Sequence, residues 1–310
     1  MSSLVLAGAE FPAAGLLGLG ASYTLVSRLE RVAGRLRLSE AILGLVVALA
    51  ADSPEITSAV TASVHGQRGI GAGVVLGSNV FNLAALLGLG AIVAGRITLH
   101  RRVVILEGAT ATWVAAVTVI VVWAGWSAGI GVALVLIGVL PYVLVLVSTS
   151  AMLARFGISQ SVTQWLRAAV VEEEEELAQA IQSRAGGRLD GAVLAASLVV
   201  VITASAVMER SAESLGRHFG ISSLVIGGVV LAGVTSLPNA VGAIYLAGRG
   251  RGSAVLSEAM NSNMLNIAIG LLLPGIFLGL GGPSGDGILV AAWYGCLTVL
   301  SLALSFAGGA

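Results

Sequence analysis

Residues 77–90 read GSNVFNLAALLGLG, and residues 261–274 read NSNMLNIAIGLLLP. Shifted by 184 positions they fall into one gapless register, with Ser78 on Ser262, Asn79 on Asn263 and Asn82 on Asn266. The same shift lays LAADSPEIT (49–57) over GVTSLPNAV (233–241), so that Pro54 meets Pro238. A register that holds across two consecutive apolar segments marks an internal repeat and divides the chain into two related halves.

These segments lie in an oily chain. Of its 310 residues 57% are hydrophobic and 10% charged, and the mean hydropathy is +0.99. Soluble domains are about a quarter charged, so this is an integral membrane protein whose solvent is the lipid bilayer. A helix needs about 20 apolar residues to cross the hydrocarbon core. On that scale the sequence predicts an all-α fold of nine spans, near 6–27, 41–64, 70–94, 103–124, 128–150, 190–208, 221–247, 253–280 and 287–308. Forty-two glycines suit helices that approach closely. Glu10 falls inside the first apolar run and no basic stretch precedes it, so the start of the chain reads as a retained span rather than a cleaved signal. A net charge of zero gives no footing for a nucleic-acid partner, and the single Cys296 cannot form an intrachain disulfide.

All sixteen basic residues are arginines, which cytoplasmic loops collect. Thirteen fall in 28–40, 95–102, 151–189 and 248–252, while loops of the opposite parity hold only Arg68, Arg210 and Arg217. This bias puts the N-terminus outside and the segment 151–189 in the cytoplasm. That segment separates a first membrane half, 1–150 with its repeat at 42–90, from a second, 190–310 with its repeat at 226–274. Its acidic run EEEEE (172–176) reads as a solvated, mobile stretch. Equivalent helices are separated by an odd number of spans, so the two copies cross the membrane in opposite directions. Inverted repeats of this kind build one midplane ion site from two facing copies in many secondary transporters.

Each copy carries a proline in mid-span. Proline has no N–H, so the carbonyls of Ala50 and Val234, four residues back, lose their helical bonds and the helices bend. Freed oxygens at membrane depth need neighbouring helices, water or a cation. Beside Pro54 stand Asp52, Ser53, Glu55 and Thr57; beside Pro238 stand Thr235, Ser236 and Asn239. Asp52 and Glu55 are three residues apart and share a face, and neither proline-bearing span contains an arginine to pair with them. An ionised carboxylate at the bilayer centre costs at least ~2.5 kcal/mol, which leaves a mobile cation or bound protons as the partner. The following helices add Ser78 with Asn82 and Ser262 with Asn266, each pair at i and i+4. All are oxygen donors, which suit sodium, calcium or magnesium; zinc and copper want His or Cys. A kink explains either proline alone, and helix–helix hydrogen bonds explain any one serine or asparagine. The repeated set points to a site.

On these residues, GSNVFN (77–82) and VTSLPN (234–239) above all, the sequence resembles the calcium/cation antiporter superfamily, most closely the sodium/calcium exchangers of prokaryotes. The likeness covers both repeats and the spans that frame them. It implies a cation pocket formed on this chain by Asp52, Glu55, Ser78, Asn82, Thr235, Ser236, Asn239, Ser262 and Asn266, with backbone carbonyls near Ala48 and Ala232. It also implies residence in the cell (inner) membrane and alternating access, with the first and sixth helices sliding across the others. The chain departs from the family pattern in three places. Ala51-Asp52 stand where relatives have Thr-Ser, and Asn239 where they have the repeat's glutamate. Gly73-Val74 and Ser257-Glu258 replace a Gly-Asn pair, and the family's tenth helix has no counterpart before Ala310. If Asp52 makes up for the acid absent at 239, the pocket charge stays at about −2, enough for one divalent or two monovalent ions.

The expected function is a secondary active antiporter, not an enzyme, that exchanges sodium for calcium or a similar hard divalent cation. Inorganic cations are its cargo, and no resident cofactor is expected. Two alternatives stay open: a proton-coupled divalent antiporter, because two acids one turn apart can share a proton, and a non-transporting cation-binding sensor of the same fold. An intramembrane hydrolase lacks its parts, since no second aspartate matches Asp52 in the repeat and no Ser–His pair falls inside the spans.

Overall fold

The structure, a computed structural model, describes residues 2–36, 48–94, 100–180, 187, 189–248, 252–282 and 284–308. Residues 41–47 of the second expected span, and Arg37, Arg96, Arg184, Arg188, Arg249 and Arg251 of the loops, lie outside the described residues. Those described form helices and their connections, with no strand among them. Helix α1 is Ser2–Leu36 and α2 is Ser53–Val64. Helix α3, Arg68–Phe81, runs through a π-helical turn at Asn82–Leu86 into Leu87–Ala94. Then come α4 (Arg101–Ala124), α5 (Ala128–Val147), α6 (Gln160–Ala180) and α7 (Asp190–Phe219). Helix α8, Ser223–Thr235, is followed by α9, Leu237–Ala247. Helix α10, Gly252–Leu265, continues through a π-helical turn at Asn266–Leu272 to Leu278, and α11 is Gly285–Gly308.

Seven of these are long and apolar enough to cross a membrane, namely α1, α3, α4, α5, α7, α10 and α11. The other two expected crossings are the proline-bearing ones, and both are interrupted. Helix ends follow local chemistry: Gly125 and Gly220 close α4 and α7 in the left-handed conformation that glycine adopts without a Cβ clash. Ser127 and Ser222 then open α5 and α8 by accepting the N–H groups of Ile130 and Val225.

The centre of the bundle is α3, α4 and α10, whose apolar windows are 67%, 56% and 56% buried, against 28% or less for α1, α5, α7 and α11. The outer helices turn Leu16, Ile137, Val199 and Leu304 outward, as helices apolar all round do in lipid. Helix α3 lies backbone to backbone on α8, and a Cβ on Gly77 would overlap the Gly228 carbonyl. Helices α1 and α7 form a separate pair along one side, joined by Arg28 to Asp190 at 2.6 Å and by Ser211 Oγ donating to Glu10 at 3.3 Å.

Part of the stretch 151–189 packs on the bundle. Helix α6 packs on α4 with Ala169 and Val170 fully buried, and Glu172, the first residue of the acidic run, is held by Arg102 Nη1 at 2.5 Å. The apolar residues preceding the glutamates dock the helix, and the acidic run continues it.

Candidate cation site

The two interruptions occupy equivalent positions. The helical turn at 48–51 ends at Asp52 before α2 starts at Ser53, and α8 ends at Thr235 before Ser236 and α9. The Ala50 carbonyl, which Pro54 cannot serve, accepts the Ser53 hydroxyl at 2.7 Å. The carbonyls of Ala48 and Ala232 accept the N–H groups of Asp52 (2.9 Å) and Ser236 (3.0 Å), and Ala232 also takes the Thr235 hydroxyl at 3.3 Å. In this conformation each of these carbonyls accepts a hydrogen bond within its own helix and the Thr235 hydroxyl donates within its own, because the breaks fall after them and leave their turns intact.

The other expected residues come together. Asp52, Glu55, Ser78, Asn82, Ser236, Asn239, Ser262 and Asn266 are all at most 1% exposed, and Thr235 is 3% exposed. Asn82 Nδ2 donates to Ser262 Oγ (2.9 Å) and Asn263 Oδ1 (3.0 Å), while Asn266 Nδ2 donates to Ser78 Oγ (3.4 Å) and Asn79 Oδ1 (3.3 Å). Between them Asn79 Nδ2 reaches the Asn263 carbonyl at 3.1 Å and Asn263 Nδ2 reaches the Asn79 carbonyl at 3.2 Å. Each bond is carried onto its partner by the 184-residue shift, so the crossing of α3 and α10 is a two-fold clamp. The π-helical turns begin at Asn82 and Asn266, which are themselves equivalent. Such turns often mark functional positions in helices.

Symmetry breaks where the charges are. Asp52 Oδ1 accepts Ser262 Oγ at 2.6 Å and Asn239 Nδ2 at 2.9 Å. The mirror image of the Asp52–Asn239 pair is Ser236 with Glu55, and Ser236 stands beside Glu55. Each cross-repeat pair thus holds one carboxylate and one neutral group.

The carboxylate at 52 also directs the network. A carboxylate only accepts, so Ser262 must spend its proton on Asp52; Asn82 must then present its NH2 to Ser262, and Asn239 its NH2 to Asp52. The amide oxygens are left over. Asp52 Oδ2, both Glu55 oxygens, the Oδ1 atoms of Asn82, Asn239 and Asn266, and Ser236 Oγ are enclosed without a hydrogen-bond partner. No cationic side chain among the described residues pairs with Asp52 or Glu55. A buried polar atom left unpaired costs on the order of 1–3 kcal/mol, so a set this large is stable only if something else fills it. Among the described residues no three His, Cys, Asp or Glu side chains group as a resident metal site. Hydroxyls and amides supply much of this pocket, which suits a hard ion held reversibly.

Sequence reasoning missed the clamping role of Asn79 and Asn263, although their signal is the Ser-Asn dipeptide common to both motifs. It also left Glu258 without a direction. The structure encloses Glu258 Oε2 and brings Asp52 within electrostatic reach of it.

The family model described as Sodium/calcium exchanger protein matches residues 11–149 and 189–308. Inner membrane protein YrbG of Escherichia coli (strain K12) is 30% identical over 238 residues, which cover 76% of this chain and 69% of that protein. Among solved structures, the H+/Ca2+ exchanger CAX matches with a TM-score of 0.71 at 14% identity, covering 96% of this chain and 76% of its own. The sodium-calcium exchanger NCX_Mj matches with a TM-score of 0.55 at 22% identity, covering 98% and 90%. These two are likenesses of fold, and the sequence matches carry the family. With a model that covers both membrane halves and a relative at this identity over most of its length, the chain belongs to the sodium/calcium exchanger family of multi-pass membrane proteins.

Proposed function

We propose that the protein is a secondary antiporter that exchanges sodium for calcium, or a similar hard divalent cation, by alternating access through the pocket at Pro54 and Pro238. One observation carries this reading: enclosed, unpartnered oxygens surround two carboxylates that no cationic side chain neutralises. Calcium takes six to eight oxygen ligands. Asp52 Oδ2, the Glu55 carboxylate, Ser236 Oγ and the free amide oxygens of Asn82, Asn239 and Asn266 are of the right kind and number. The same donors accept sodium, so the two ions compete for one charge, and that competition is what exchange requires.

The α1–α7 pair supports the moving part of the reading. A narrow seam with only about 10 Å3 of open space lies between the pair and the interrupted helices, with Gly15 and Gly18 on one wall and Pro54, Thr235 and Pro238 on the other. Ser205 Oγ of α7 donates to the Pro54 carbonyl at 3.4 Å, so the pair touches the interrupted helix itself. Sliding of the pair would open the pocket first to one side and then to the other. The arginine bias assigns the N-terminus to the outside of the inner membrane and 151–189 to the cytoplasm.

The test is tracer calcium uptake into vesicles of purified protein under a sodium gradient and, separately, a proton gradient. Uptake driven by sodium supports the reading. Asp52 and Glu55 on one turn favour proton coupling as the second reading, which uptake driven by protons without sodium would select. Calcium binding with no flux under either gradient would select a non-transporting sensor.

A further inference from the structure

Glu258 is a carboxylate that the pocket does not use. It lies on α10 one turn before Ser262, at i and i+4, so both side chains leave the same face of the helix. Ser262 is the residue that donates to Asp52. Glu258 Oε2 is enclosed and has no hydrogen-bond partner, and Asp52 is close enough to act on it electrostatically. Asp52 is itself wholly buried, with Oδ2 unpartnered. The adjoining acid, Glu107, is engaged differently, accepting Ser257 Oγ at 2.7 Å.

The 184-residue shift carries Glu258 onto Val74, which is wholly buried among hydrocarbon. The clamp is two-fold in its hydrogen bonds, yet one approach to it carries an acid and the other an isopropyl group. Helix α10 starts at the 248–252 loop, so Glu258 lies about 6 Å nearer that face than Ser262 does. The described packing on the same side is small and apolar, with Ala240, Ala243 and Ala247 of α9 against Val255 and Ala259 of α10. Of the two carboxylates described at that level, Glu107 holds Ser257 and Glu258 Oε2 has no hydrogen-bond partner.

We propose that Glu258 and Asp52 Oδ2 form a second cation position, one helical turn from the central pocket toward the 248–252 face, where calcium or sodium pauses between the pocket and that face. The proposal rests on reading the pocket as a cation site. Because Asp52 belongs to both positions, a hard ion leaving Glu55 for Glu258 keeps one carboxylate throughout, and Val74 offers no such step on the opposite approach. The exchanger is therefore asymmetric in how it loads from its two sides.

The experiment is calcium-45 flux in proteoliposomes with the ion presented to one face at a time, beside calcium-45 equilibrium dialysis of the same proteins in detergent. Glu258→Gln should raise the half-saturating calcium concentration about tenfold on the 248–252 face and less than about twofold on the other, while Glu258→Asp stays close to wild type on both. Equal shifts on both faces, or none, would overturn the proposal. If the wild type binds calcium but exchanges nothing, the antiporter reading fails separately. Dialysis then decides: Glu258→Gln must weaken calcium binding about threefold or more, with Glu258→Asp restoring it, and an unchanged isotherm overturns the second position. Should the amide fail to fold, Glu258→Met removes the same unpaired charge with an apolar chain of similar length, which buried sites generally tolerate.

Discussion

Asp52→Ser removes the carboxylate that touches Asn239, and Asn239→Glu in the same chain returns one from the facing helix. The two cross-repeat pairs are mirror images, Asp52 with Asn239 at 2.9 Å and Ser236 beside Glu55, so the double variant gives the first pair the hydroxyl and glutamate of the second. Unit charges 4 Å apart interact by about 4 kcal/mol at an effective dielectric constant near 20, and a divalent ion doubles this. Dehydration of both ions takes back most of it. If about 3 kcal/mol survives, Asp52→Ser binds calcium about 100-fold more weakly than the wild type. The double variant should recover at least about tenfold of that, because a hard cation needs oxygen charge nearby more than it needs a particular helix. Asn239→Glu alone crowds three acids into one pocket, where protons compete with the ion, so its calcium binding should weaken more steeply than wild type as pH falls. Calorimetric calcium titration of the four proteins at two pH values reads all of this. Wild-type affinity in Asp52→Ser, or a double variant no better than the single, would refute the compensation.

Other outcomes follow from the same geometry. Glu55→Gln should abolish divalent uptake while leaving a folded, inserted protein, checked by flux and by size-exclusion profile; normal uptake would remove Glu55 from the pocket. Gly77→Ala should cost about 2–4 kcal/mol and lower the melting temperature in detergent, because the new methyl meets the backbone of Gly228 rather than a movable side chain. A disulfide between Gly15→Cys on α1 and Val234→Cys on α8, neighbours across the seam, should stop flux and spare calcium binding. Flux that survives efficient cross-linking would exclude sliding of α1.

Much of this architecture is legible in the sequence because it is periodic and oily. The long apolar helices, the 184-residue register and the prolines at 54 and 238 need only counting, and Asp52, Glu55, Ser78, Asn82, Ser236, Asn239, Ser262 and Asn266 are among the polar residues that this counting leaves inside. What the sequence hides are consequences of three dimensions. Nothing local announces the π-helical turns that begin at Asn82, at Asn266 and, within α8, at Ile226. The carbonyls near Ala48 and Ala232 are engaged because their turns end after them, and Ser53 takes up the oxygen that Pro54 frees. The docking of α6 depends on Ala169 and Val170 meeting α4, a contact that a scan for charge overlooks.

The polarity of the network belongs to the same class. A serine at position 52 could accept a hydrogen bond from Ser262 or donate one to it, and the Asn82 amide would then be free to turn either way. With aspartate there, only one direction remains, and the oxygens of Asn82 and Asn239 are held free of partners. The acid therefore contributes twice: its own charge attracts the ion, and its hydrogen bonds keep neutral neighbours from offering N–H groups to it. Asp52→Asn separates the two effects, because the amide keeps the shape but can donate as well as accept. If direction matters beyond charge, it should weaken calcium binding more than Asp52→Ser in the Asn239→Glu background, where total charge is equal. Equal affinities in that comparison would leave charge as the whole of Asp52's contribution.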